Sequence, residues 1–195
     1  MLGENDYEEL VREVSLGHGV TSLAAFPGSY NPPTVAHLSM ASAVVRQCGV
    51  ARVDLVLSRV ALAKESVVRP TVEERASVLR AVAATREWLG VVVTDAQLLV
   101  DICAEGPYDV LVLGADKWAQ VLDPAFYGGS VAARDEAVAR LPHLAVAPRG
   151  DGPLPSGERV TVLDVAHHDV SSSAARDGAV DLMLPEARAS GLWLA

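Results

Sequence analysis

Residues 21–38 read TSLAAFPGSYNPPTVAHL, and the fold turns on how this stretch divides. Thr21–Phe26 is a short unbroken apolar run closed by Pro27-Gly28, the pattern of a strand buried on both faces. From Thr34 the spacing becomes helical, with Thr34 placed to cap a helix that runs to Gln47. Between the two, Pro32 and Pro33 hold an extended turn. A buried strand, a Gly/Pro turn and a helix are the opening unit of a parallel α/β sheet.

The remaining chain repeats the alternation. Apolar runs at Val53–Leu57, Val91–Thr94, Val110–Leu113, Leu144–Ala147 and Val160–Val165 read as further strands. The clearest helix follows Thr71, where Val72, Ala76, Leu79 and Ala83 form one stripe and Glu73, Arg80 and Glu87 point elsewhere. Thr71 and Glu74 have the spacing of a capping box, and Pro70 keeps the preceding chain out of the helix. Asp6–Ser15, Asp95–Ala104 and Val131–Arg140 carry helical spacing as well. The fold class is therefore α/β: a doubly wound, mostly parallel, Rossmann-like sheet with helices on both faces. Residues 1–195 are expected to form a single domain, with 1–19 as an N-terminal helical extension and Pro148–Glu158 as a surface loop.

Composition narrows the function classes. The 195 residues carry 16 Lys+Arg against 25 Asp+Glu, a formal charge of −9, and half of them are hydrophobic. An acidic chain without a basic stretch is not a non-specific nucleic-acid binder, yet a small anion responds to local donors and not to net charge. No run approaches the roughly 18–20 apolar residues that span a bilayer. The acidic opening MLGENDYEEL lacks a secretory pattern, and Cys48 and Cys103 stand far apart. The expectation is a cytoplasmic protein with reduced thiols, no membrane partner and no nucleic-acid partner. A homo-oligomer is left open.

In a doubly wound sheet, ligands bind where the strand order reverses, at the carboxyl ends of the strands. Three segments there carry chemistry. In the first, Pro27, Gly28, Ser29 and Tyr30 lead to Thr34 and to His37 in the first helical turn, where free amides favour an anion. In the second, Ser171, Ser172 and Ser173 precede Arg176, whose planar fork suits phosphate. In the third, Gly114 and Asp116 follow the fourth strand, Gly114 leaving room for a flat ligand and Asp116 able to accept from a ribose hydroxyl.

Together these segments resemble the nucleotidylyltransferase superfamily of the HxGH type, and within it the nicotinate/nicotinamide mononucleotide adenylyltransferases. GSYNPPTVAH is similar to the first-strand motif, with Thr34 in place of its first His and His37 as the second. SSSAAR is similar to its serine-serine-x-x-x-arginine element and LGAD to the segment after strand four. There are two departures: Ala36 stands where the family has glycine, and after the second strand Ser58–Glu65 retains only Lys64 of a His-Lys segment.

The resemblance implies that a substrate phosphate attacks the α-phosphorus of ATP and expels pyrophosphate. His37, with Thr34 assisting, would hold the α-phosphate; Arg176, Ser171–Ser173 and Lys64 would hold the β- and γ-phosphates. Mg²⁺ would ride on the substrate, with no dedicated protein ligands. Trp118, Tyr127 and Lys64 are the acceptor-side candidates, and one histidine of His167-His168 is placed to face the nucleotide. The implied partners are small molecules: ATP and a mononucleotide, foremost nicotinate mononucleotide. Phosphopantetheine as acceptor, CTP as donor, or an inactive nucleotide sensor are the alternatives.

Overall fold

In a computed structural model of the protein, which describes residues 22–60, 69–150, 152, 154–167 and 169–194, six strands form one sheet. They are β1 (Leu23–Pro27), β2 (Arg52–Ser58), β3 (Leu89–Thr94), β4 (Tyr108–Gly114), β5 (His143–Ala147) and β6 (Val160–Val162). Every pairing is parallel, in the order β3-β2-β1-β4-β5-β6. The strand order reverses between β1 and β4, which is where a doubly wound sheet opens its binding crevice.

All six strands fall on the expected apolar runs because parallel strands are buried on both faces and admit few polar residues. β6 stops three residues before the expected end at Val165. Gln47 explains the early stop: its side chain donates to Asp164 O (2.8 Å) and accepts from Asp164 N (3.0 Å), occupying the groups that a ladder would need.

Among the described residues there are seven helices: α1 (Val35–Cys48), α2 (Val72–Ala83), α3 (Leu99–Glu105), α4 (Ala115–Val121), α5 (Val131–Ala139), α6 (Ser172–Arg176) and α7 (Pro185–Ser190). The capping box of α2 forms as expected, Glu74 N donating to Thr71 Oγ1 (3.2 Å) and Thr71 N to Glu74 Oε2 (2.7 Å). Helix α3 begins at Leu99, not at Asp95. Thr94 Oγ1 accepts from Ala96 N (2.9 Å) and donates to Glu105, holding the intervening residues in a turn. Helices α4 and α7 were not expected; both are short, and propensity carries little weight over six or seven residues. The expected helix Asp6–Ser15 lies outside the described residues, as does Lys64. Among the described residues no helix is long and apolar enough to cross a membrane.

The sheet separates two apolar clusters. One face packs α1 and α2 through residues such as Leu38, Val44, Leu79 and Val82. The other packs α3, α4 and α5 through Ile102, Trp118, Val121 and Ala137. At roughly 2 kcal/mol for each fully buried Leu or Val, these two layers hold the carboxyl ends of β1 and β4 at a fixed separation. A third cluster of Val78, Ala175, Met183 and Ala187 seats α6 and α7 against α2. Arg86 reinforces it, donating to Val82 O and to Glu186 Oε1 (3.1 Å) from a side chain that is 2% exposed.

Candidate functional site

A cleft of about 330 Å³ opens at the β1/β4 reversal. Its first wall comes from the end of β1 and the start of α1: Phe26, Ser29, Ala36, His37 and Met40. The facing wall comes from Gly114 at the end of β4, from Asp116, Lys117 and Gln120 on α4 and from Arg149 after β5. His167, Ser171–Ser173 and Arg176 close the third side.

His37 is oriented by its own helix start. Thr34 sits at the N-cap with extended backbone, and its N–H donates to His37 Nδ1 (3.0 Å). Thr34 Oγ1 lies 2.8 Å from the same nitrogen. An Nδ1 that accepts a backbone N–H cannot carry a proton, so in the neutral ring the proton is on Nε2. The ring rests against Tyr30 and Phe26, with centroids 5.0 and 6.1 Å away. Desolvation, with the charge of Arg149 second, pulls the His37 pKa down from 6.5 to about 4. At neutral pH His37 is therefore an uncharged donor.

Several expected site residues lie behind this wall and not on it. Thr34 is completely buried and meets the ligand side only through His37. Tyr30 is also completely buried, turned inward at φ 46°, its hydroxyl donating to Phe26 O. The open side of Gly28 is filled by that ring: a Cβ there would lie 3.0 Å from Tyr30 carbons. So Gly28 makes room for Tyr30, where a ligand was expected. Pro27 ends β1 without reaching the cleft.

The acceptor-side aromatics are corrected too. Trp118 points into the core beneath α4, and the Tyr127 hydroxyl donates to Val121 O (3.0 Å); neither lines the cleft. Of the expected residues, the structure brings together Ser29, His37, Gly114, Asp116, His167, Ser171, Ser172, Ser173 and Arg176, while His168 lies outside the described residues.

The serine segment is tied to the first loop. Ser171 caps α6 by accepting from Ala174 N (3.1 Å), and Ser172 Oγ donates to Pro32 O (2.8 Å). Arg176 donates to Asn31 O and to Ser173 Oγ (3.2 Å). Two cations to which the sequence reading assigned no role also line the cleft. Lys117 donates to Gln120 Oε1 (2.8 Å), and Arg149 pairs with Asp116 Oδ2 (3.1 Å) on the same wall. Arg149 sat unnoticed in a loop-like run; its signal was position, two residues beyond a strand end in a doubly wound sheet. Among the described residues no group of three or more His, Cys, Asp or Glu is arranged to hold a metal.

The Rossmann-like sheet thus brings an uncharged histidine donor and two arginines to its reversal point, where a doubly wound sheet binds its ligand. The chain belongs to the cytidylyltransferase-like family, whose model matches residues 25–178. Its fold is similar to that of the nicotinic acid mononucleotide adenylyltransferase of Plasmodium falciparum complexed with NaAD. That pair has a TM-score of 0.62 at 13% identity, over 89% of this chain and 97% of the other. The same enzyme complexed with APC gives a TM-score of 0.62 at 13% identity, over 88% and 94% of the two chains. No curated protein matches the sequence.

Proposed function

We propose that the protein, acting as one domain, transfers AMP from ATP to a phosphate-bearing acceptor, with nicotinate mononucleotide as the acceptor. An oxygen of the acceptor phosphate attacks the α-phosphorus. The new P–O bond forms as the α–β bridging bond breaks, and pyrophosphate leaves with the electron pair. A phosphate monoester is largely dianionic at neutral pH, its second pKa being about 6, so no general base is required. The protein's part is to align two polyanions and stabilise the charge that develops.

The observation that carries the reading is the wiring of His37: Thr34 N–H holds Nδ1, which reserves Nε2–H for an incoming oxygen. In this reading Nε2–H donates to the α-phosphate, while Arg176, the Ser171–Ser173 segment and Lys117 take the β- and γ-phosphates. Gly114 and Asp116 serve the ribose. ATP enters as its magnesium complex, the ion being carried by the substrate's phosphate oxygens. The choice of acceptor is supported by the motif resemblance and by the NaAD bound in one of the structural neighbours.

The test is pyrophosphate release with ATP and Mg²⁺ against nicotinate mononucleotide, nicotinamide mononucleotide and phosphopantetheine, with CTP replacing ATP in parallel. Turnover fastest with ATP and nicotinate mononucleotide is expected. Binding of ATP without turnover on any acceptor overturns the transfer reading in favour of a sensor, and faster turnover with another pair reassigns the substrates.

A further inference from the structure

Asn31-Pro32-Pro33 is a stretch that accepts hydrogen bonds but can scarcely donate them, since neither proline has an N–H. Its position must therefore be fixed by donors from elsewhere. The donors come from one distant segment. Arg176 donates to Asn31 O, Ser172 Oγ to Pro32 O (2.8 Å) and Leu184 N to Pro33 O (3.1 Å). The next residue, Thr34, bridges Met183. Three consecutive carbonyls are thus held from residues 172–184, immediately before the capping unit that orients His37.

One bond has no counterpart among these. Trp193 Nε1 donates to Asn31 Oδ1 at 2.6 Å, joining residues 162 positions apart. Asn31 is 6% exposed, so its side-chain oxygen is away from water and needs this donor. The indole ring packs on the cluster of Val78, Ala175, Met183 and Ala187, and Ala175 is the neighbour of Arg176. Asn31 therefore holds the Trp193 indole with its side chain and the Arg176 guanidinium with its backbone.

We propose that Trp193 is a positioning residue for the phosphate site: through Asn31 it holds Arg176 and the loop that sets His37 in fixed register. The ring supplies packing, and the N–H supplies the orientation of Asn31. Its kinetic consequence rests on the adenylyl-transfer reading, whereas its effect on the loop does not.

Trp193→Phe keeps an aromatic ring on the cluster but removes the N–H donor with part of the indole's bulk, which the Leu182→Ala control below allows for. In the free protein, amide exchange at Thr34 and Leu184 should quicken severalfold. In the transfer assay kcat should fall roughly tenfold, the size expected for a small misplacement of a phosphate-binding group. In an Arg176→Ala background Trp193→Phe should have a smaller effect on kcat, because only the route to His37 remains. Asn31→Ala removes the same bond from the acceptor side and should reproduce the exchange result. Leu182→Ala loosens the same cluster without touching the bond, and should leave Thr34 exchange slow.

Unchanged exchange in Trp193→Phe overturns the proposal, as does equal acceleration by Leu182→Ala, or an undiminished effect of Trp193→Phe in the Arg176→Ala background. A wild-type protein inactive on every acceptor sinks the transfer reading alone, and the exchange arm then decides the positioning role.

Discussion

The state of His37 gives the sharpest prediction. The unfolded chain takes up a proton on this ring near pH 6.5, and the folded protein only near 4. Between those values the unfolded state binds more protons, so folded stability must fall as the pH is lowered from 6.5 to 4. Above about pH 7 both states hold a neutral ring and the contribution is complete. The gap from 6.5 to about 4 corresponds to at most about 3 kcal/mol lost across the window. His37→Asn retains an oxygen that can accept from Thr34 N–H but cannot titrate, so the other ionisations cancel in the comparison. Urea unfolding of the two proteins at intervals from pH 4 to 7.5 reads the difference. The wild type should lose stability faster than the variant, by up to that amount, with the divergence confined to the window. NMR titration of the ring provides the site-specific check, and bound ATP should move its midpoint upward because phosphate charge favours the protonated ring. Parallel pH profiles for the two proteins, or a ring that titrates near 6.5 when free, would refute a desolvated, neutral His37.

Two further outcomes test other parts of the molecule. Arg149→Met should raise the KM for ATP about tenfold, the scale of one charge-assisted hydrogen bond, and should also raise the His37 pKa by removing a positive neighbour. Steady-state kinetics and the ring titration check the pair, and no change in either removes Arg149 from the site. Gly90→Ala should cost about 2 kcal/mol of stability in chemical denaturation with kcat preserved. Its Cβ would come within 2.0 Å of Oδ1 of the buried Asp54, which Arg52 and Tyr108 bond at the opposite end of the strands from the cleft.

The sheet was legible because its physics is local. A strand buried on both faces must be apolar throughout, and each run was bounded by residues that break it. The same holds for α1 and α2, whose starts carry caps readable from a few side chains. His37 and Arg176 were legible as residue types at fixed spacing from those caps. Side-chain direction was not. Tyr30 has the composition of a ligand-facing aromatic, and only its left-handed backbone turns it behind His37. Trp118 was misplaced for another reason: Ala115, Trp118 and Val121 recur every third residue, a core stripe on a helix too short to be noticed. Arg149 and Trp193 depend on which distant strands and loops become neighbours, a property of topology that no window of sequence contains.

The strand order has a mechanical consequence. The ladders within each half of the sheet are regular, with five registered pairs between β1 and β2 and five between β4 and β5. The seam between the halves, β1 on β4, has three, and its register slips between Leu23 and Ala24. The one irregular joint among the paired strands thus runs beneath the cleft, whose walls belong to opposite sides of it. In the proposed reading, a triphosphate held by His37 on one wall and by Lys117 on the other would act as a cross-brace over that joint. Resistance to unfolding would then rise with its concentration, as it does for any ligand bound only by the folded state.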